Sequence, residues 1–201
     1  IILGKKELDF SRWRYGFHGG YTYRTAKIHD QITGPYREFN KKLKSGITLG
    51  GDMHYFVSEP IGIGLKYGFS RFNASLESGY KEDIAMHNIS VSVLNRYILK
   101  DERNRILLGF NIGFQSYKNK IYEDVNKGYI SGSTAGFGME VGYDRKLSKS
   151  TALHFGVAYL AGNLYKIKVN DGYQTQSIKL DKGEYESLSR LELSIGLKFG
   201  K

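Results

Sequence analysis

Five histidines, His18, His29, His54, His87 and His154, are the side chains of this 201-residue chain best suited to metal binding or proton transfer, and there is no cysteine beside them. Thiolate metal sites, disulfide scaffolds and cysteine nucleophiles are thereby excluded. A histidine metal site needs its ligands to converge. His18, His54 and His154 lie on one parity of three separate alternating segments, and Asp52 is two residues before His54. That pattern suits a hydrogen-bonded interior network better than a ligand set. His87 and Ser90 could begin a hydrolytic site, but they are three residues apart in an alternating segment and so point to opposite faces. No G-x-S-x-G turn is present. Gly62-Ile63-Gly64 and Gly136-Phe137-Gly138 would suit phosphate loops only if a helix followed; each instead continues an alternating run, to Gly68 and Gly142. No catalytic set, cofactor or metal is expected, and the chain is read as non-enzymatic.

The elements that carry these residues announce themselves by period-two alternation. From Arg12 to Arg24 the odd positions are Trp13, Tyr15, Phe17, Gly19, Tyr21 and Tyr23, while the even ones include Arg14, Gly16, His18, Gly20 and Arg24. Such contrast describes a strand with one apolar and one polar face. Eight segments behave alike, at about 12–26, 43–57, 61–70, 84–99, 105–117, 132–146, 151–164 and 188–199. Each clean stretch is about 9–11 residues, the length of a tilted strand that crosses a bilayer. The mean hydropathy of −0.42 does not contradict this, because a spanning strand shows lipid only every second residue. Short connections near Ser58 to Pro60, Lys100 to Asn104 and Ser148 to Ser150 alternate with long polar ones near Lys27 to Lys42, Arg71 to Asp83, Lys118 to Tyr129 and Tyr165 to Ser187. The expectation is one domain, residues 1–201, forming an all-β, eight-stranded antiparallel up-and-down transmembrane barrel.

Which face is inside follows from volume. The polar face is rich in glycine, among them Gly16, Gly20, Gly50, Gly64, Gly109, Gly113, Gly138 and Gly196, whereas the apolar face carries the bulky Trp, Tyr, Phe, Leu and Ile. An eight-stranded lumen is barely wide enough for side chains, so the small residues belong inside and the bulky ones against lipid. The expected lumen charge network is Arg14, Asp52, Lys66, Arg96, Glu140, Asp144, Arg190 and Glu192, with Arg24 and Lys44 on the same parity. Aromatic girdles are expected from Trp13, Tyr15, Tyr55, Tyr97, Tyr143 and Phe199 towards the short turns, and from Tyr21, Tyr23, Tyr67, Phe69 and Tyr159 towards the long ones. His87 and Asn95 break the lipid parity, and Phe56, Leu94, Ile98 and Leu160 break the lumen parity.

On these residues the chain resembles small bacterial outer-membrane barrels of the OmpA-transmembrane-domain and OmpX type, particularly those of Bacteroidetes. The last strand, Leu191 to Phe199, is similar to the C-terminal signal read by barrel-assembly machinery, although Gly200 and Lys201 follow the aromatic residue. The resemblance implies an outer-membrane location in contact with lipid and lipopolysaccharide, long loops outside and both termini periplasmic. It also implies an export signal ahead of Ile1. The formal charge of +10 is spread between lumen and loops with no aromatic platform, which disfavours nucleic acid. The longest loop carries Lys166, Lys168, Lys179 and Lys182 interleaved with Tyr165, Ile167, Val169 and Tyr173, around an Asn170-Asp171-Gly172 turn. Tyr165, Lys166, Lys168 and Tyr173 are therefore candidate contacts for an extracellular protein partner. The expected role is structural or surface-binding, with a narrow channel as the alternative and a lipid-modifying enzyme behind it.

Overall fold

The computed structural model describes residues 12–27, 33–101, 103–123, 126–181 and 184–200. Eight long strands run through it: β1 Trp13–Arg24, β2 Ser45–Phe56, β3 Ile61–Ser75, β4 Lys81–Ile98, β5 Asn104–Glu123, β6 Asn126–Lys146, β7 Thr151–Ala161 and, last in the chain, β12 Arg190–Gly200. Each is antiparallel to its sequence neighbour, and β12 pairs with both β7 and β1, closing the barrel. Between β1 and β2 lies helix α1, Pro35–Lys42. Between β7 and β12 lie β8 Asn163–Leu164, β9 Lys166–Asn170, β10 Thr175–Lys179 and β11 Glu186–Ser187.

Closure fixes the stagger. Partnered residues traced once around the barrel run Arg14, His54, Gly64, Ser92, Asn111, Gly138, Leu160, Arg190 and Arg24, so the path returns to β1 ten residues further on. A stagger of this kind goes with strands tilted by about 35–45°. All nine side chains or glycine positions on the path share the interior parity. Glycine is needed there for space: a Cβ at Gly113 would collide with the Ile89 carbonyl oxygen and the Ser90 side chain, and one at Gly20 with the Leu193 carbonyl.

The walls are unequal. β1, β7 and β12 have 12, 11 and 11 residues, whereas β5 and β6 have 20 and 21. Much of the segments 71–83 and 118–129, expected as loops, is strand. The reason is that alternation continues but its polarity inverts. Beyond the apolar belt the outward residues become Arg71, Asn73, Asp83, Lys118 and Lys120, while Phe72, Ala74, Ile84, Met86 and Tyr117 turn inward and are buried. Reading a fixed polarity for each face hid the extension.

Helix α1 also lies within an expected loop. Pro35 in its first turn, where no amide donor is needed, and a Glu38–Lys41 ion pair of 2.7 Å support it. Its buried residue, Phe39, meets Tyr80 edge-on at 5.5 Å. Leu43, expected on the lipid face of the second strand, instead precedes β2 and is buried with Phe39 over the barrel mouth. Lys44, expected in the lumen, sits in the same turn with its Nζ 5.0 Å from the Tyr23 ring. Asn95 pairs with Ile61, the first residue of β3, so it lies at the short-turn rim rather than at mid-belt.

Two glycines on the interior parity separate space from flexibility. Gly113→Ala is expected to cost about 1–3 kcal/mol through overpacking. Gly68→Ala, where an added Cβ meets nothing within 4 Å, should stay within about 0.5 kcal/mol. Urea unfolding of the refolded barrel in vesicles measures both, and equal losses would contradict the packed-lumen account.

Candidate functional site

The lumen is built in layers. At the short-turn end Phe56, Leu94 and Leu107 form an apolar floor and are almost wholly buried. These are two of the parity exceptions, Phe56 and Leu94, joined by a third residue. The Arg96 guanidinium stacks 3.7 Å from the Phe56 ring centre, and its Nε and Nη2 donate to the Glu59 carbonyl at 3.1 and 2.9 Å. Arg96 is thus placed at the floor, apart from the carboxylates it was grouped with.

Above the floor, Arg14 joins three strands. Its Nη1 donates to Asp52 at 2.9 Å, and its Nε and Nη2 donate to Asp144 at 2.9 and 3.1 Å. His154 Nδ1 lies 2.6 Å from the same Asp144, Lys198 bonds Asp52, and Lys66 bonds Glu140. His54 Nε2 is 3.1 Å from Ser92 Oγ. A cavity of about 40 Å³, lined by His18, Lys66, Asn88, Asn111, Glu140 and Glu192 among others, follows. It has room for a few water molecules. The next layer is centred on Arg190, which has no exposed surface; it donates to Glu192 at 2.8 Å and to Gln115 Oε1 at 2.9 Å, while Ser70 donates to Glu192 at 3.0 Å.

The lumen then turns apolar. Arg24, bonded to Glu186, lies 5.9 Å from the Phe72 ring, and beyond it Phe72, Ile84, Met86, Tyr117, Leu164 and Leu188 form a cap closed by Phe39 and Leu43. Taking ions out of water costs several kcal/mol each unless partners and hydrogen bonds replace the lost hydration. Here each of the carboxylates Asp52, Glu140, Asp144 and Glu192 has a basic partner.

Of the eight expected network residues, the structure joins Arg14 with Asp52 and Asp144, Lys66 with Glu140, and Arg190 with Glu192. Sequence reasoning left out Lys198, although it shares the parity of Arg190 and Glu192 in one strand. It also missed Gln115 and Ser70, whose partners come from distant strands. Among the described residues no group of three or more His, Asp or Glu side chains could hold a metal. His87 faces outward with its Nδ1 2.8 Å from Tyr67 Oη, whereas Ser90 is buried in the lumen. His29 and Lys182 lie outside the described residues.

On the exterior, Trp13 pairs with Tyr55 with rings 5.0 Å apart, and Tyr15 with Phe199 at 5.9 Å. Tyr97 and Tyr143 also face outward near that end, and Tyr143 Oη donates to Asn104 at 2.6 Å. Tyr21, Tyr23, Tyr67, Phe69 and Tyr159 face outward towards the long connections. There β9 pairs with the upper part of β6, Tyr129–Ser131, where β7 has ended, and β10 pairs with β9. The turn spans residues 171–174. Gly172 has φ 96°, and the Asp171 carboxylate accepts from the backbone N–H groups of Tyr173 and Gln174 at 2.9 and 2.8 Å. Those donors, Gln174 first, hold the Asp171 carboxyl below its ordinary pKa. Tyr173 sits at the tip, almost fully exposed, while Tyr165 stands at the base beside Tyr185, so the four loop candidates do not form one patch.

A closed eight-stranded barrel with an apolar belt outside and paired charges inside is the architecture of an outer-membrane barrel. The chain belongs to the family described as outer membrane protein beta-barrel domain, whose model matches residues 5–200. No protein of curated function matches it. Among solved structures it is similar to Neisserial surface protein A (NspA), at 12% identity and TM-score 0.62 over 95% of this chain and 98% of that one. A major outer membrane protein from Thermus thermophilus gives 14% identity and TM-score 0.62 over 94% and 99%. Ail, the attachment invasion locus protein of Yersinia pestis, solved with the heparin analogue sucrose octasulfate, gives 10% identity and TM-score 0.54 over 94% and 99%. These likenesses show the shared fold.

Arg14 is the test of the lumen network. Arg14→Met removes one partner from two buried carboxylates and is expected to cost about 3–5 kcal/mol. Urea unfolding in vesicles measures it, and a loss below about 1 kcal/mol would mean that the cluster contributes little.

Proposed function

We propose that this outer-membrane barrel is a non-enzymatic surface protein, structural or partner-binding, whose long connections face the cell exterior and whose two termini face the periplasm. The observation that carries the reading is the contrast between the two possible working parts. The lumen is closed at its two ends by the Phe56 floor and the Phe72 cap, and between them bonded charges surround a cavity of about 40 Å³. The hairpin β9–β10, by comparison, stands on the tall β5–β6 wall, and every residue of β10 is exposed.

β10 is the terminal strand of its sheet among the described residues, so its outer edge presents backbone donors and acceptors. An extended segment of another protein can add to such an edge, with main-chain hydrogen bonds supplying affinity. The resemblance to Bacteroidetes barrels belongs to the same reading. Conduction is the weaker alternative, because ions would have to cross two apolar layers and a chain of mutually bonded charges.

Two measurements test this. In planar bilayers the purified protein should give no steady conductance; a stable, ion-selective current would transfer the function to the lumen. On cells, Tyr173→Cys in this cysteine-free chain should react with an impermeant maleimide, whereas Ser148→Cys should react only after the outer membrane is opened. Removal of residues 165–187 should then abolish retention on a panel of immobilised extracellular proteins. Reversed labelling, or retention unchanged by the truncation, would remove the surface-binding reading.

A further inference from the structure

The free edge of the β9–β10 hairpin has a definite chemical pattern. Within the hairpin, the Leu180 N–H donates to the Tyr165 carbonyl at 3.0 Å and the Asp171 N–H to the Gln174 carbonyl at 3.3 Å. In an antiparallel pair, hydrogen-bonded and non-hydrogen-bonded partners alternate. Gln176 and Ile178 therefore bond to β9, through Val169 and Ile167. Thr175, Ser177 and Lys179 turn their N–H and C=O groups to the opposite edge. Among the described residues β10 is terminal in its sheet, so those groups face an incoming strand.

The side chains divide by the same alternation. On the outward face Lys166 stands directly opposite Lys179, Lys168 opposite Ser177, and Asn170 opposite Thr175. Like charges directly across an antiparallel pair destabilise it, and none of these six positions is a carboxylate that would relieve the two lysines. On the inner face Ile178 is opposite Ile167, which packs against the apolar cap, and Gln176 is opposite Val169, whose other partner is Ile130 of β6. Ile178 keeps 42% of its surface exposed. An apolar row thus runs out from the cap and reaches the edge of the sheet.

Backbone, charge and apolar row together select the occupant. A lipid or a polysaccharide has no strand to lay against the edge. A second copy of this chain has one, but pairing β10 with β10 would bring two lysine-bearing faces together. Lysine on an edge strand guards against such self-pairing. The strand this edge admits carries carboxylates on its outward side and apolar residues on its inner side. We propose that β10 is completed by an extended segment of a protein partner in which acidic and apolar residues alternate. The acidic positions lie beside Ser177 and Lys179 and relieve the Lys166–Lys179 repulsion, while an apolar position prolongs the Ile167–Ile178 row. The proposal rests on the reading of the hairpin as the partner-binding part and adds the partner's chemistry to it.

The test uses the full chain refolded in uncharged detergent and a fluorescent, end-capped peptide in which valine and glutamate alternate over about seven residues. Binding is read by anisotropy. The parent protein should bind this peptide at least about tenfold more tightly than the same peptide with lysine for glutamate, or with the alternation scrambled. N-methylation of the peptide's edge-facing amides should abolish binding. Ser177→Pro removes an N–H that faces the free edge and leaves the bonds to β9, so it should bind at least about tenfold more weakly while remaining folded by heat-dependent gel mobility. Lys166→Gln with Lys179→Gln should weaken the glutamate peptide and not the scrambled one. Bound peptide should slow amide hydrogen exchange at Thr175, Ser177 and Lys179. Equal binding of the glutamate and lysine peptides, or binding untouched by N-methylation, would overturn the proposal; the methylated peptide decides the matter if Ser177→Pro does not fold. Dimerisation of the parent that Ser177→Pro abolishes would overturn it in favour of a second copy. If the peptide does not bind, yet removal of residues 165–187 still abolishes surface retention, the acidic strand is wrong and the surface-binding reading stands. If it binds but the cysteine labelling is reversed, the edge chemistry holds and the partner is periplasmic.

Discussion

The narrow bore of an eight-stranded closed sheet is the constraint from which most of this molecule follows. Closure removes every edge within the belt, but it leaves an interior that cannot hold eight rows of bulky side chains. Each interior position must be glycine, be small, or carry a side chain whose neighbours yield to it. Gly136, for example, leaves space that the Gln115 amide occupies, and Gly109 leaves space for Glu140. The large polar groups lie across the lumen in the gaps the glycines open. Small and charged residues thus share one face for a single reason of volume.

The same bore dictates the electrostatics. Arg14 and Asp144 come from β1 and β6, and Arg190 meets Gln115 from β5, so each contact crosses the lumen. A narrow interior makes such contacts short and excludes most of the water that would otherwise screen them. It therefore rewards paired charges and penalises single ones. Two arginines mark the boundaries of this polar zone: Arg96 lies against Phe56 at the floor and Arg24 near Phe72 at the cap. In each case a planar cation can face an aromatic ring on one side and polar groups on the other. The apolar ends are joined to the charged middle without leaving a bare interface between them.

How much of this was legible depended on whether a rule held along the whole strand. Alternation located all eight barrel strands, and the glycine stripe gave the direction of their faces, because both are properties of nearest neighbours and volume. The upper walls were lost because alternation was read together with a constant polarity. Ile84 and Met86 are apolar and buried, yet they keep the same inward parity as the polar Asn88 and Ser90. The protein is an inside-out barrel at the belt and an ordinary one above it, and the reversal follows the change of solvent. Lys198 could have been found from parity alone. The partnerships of Arg190 with Gln115, or of Ser70 with Glu192, depend on a stagger that no single strand records.

That reversal also decides what kind of surface the barrel offers. Had the long connections been polar loops, any partner would have had to order them on binding, at an entropic cost of about 1–2 kcal/mol per residue fixed. Here the tall side is sheet from the belt upward and is packed on its own apolar core of Phe72, Ile84, Met86 and Tyr117, with Phe39 of α1 resting on it. β9 takes the place β7 vacates beside β6, so the hairpin grows out of a continuous ladder. A platform of this kind is largely pre-ordered, which favours binding by cutting the cost of fixing it. The lysines on its outer face and the open edge of β10 are held by the same ladder. The unequal heights of the strands therefore give a symmetrical closed barrel one distinct side.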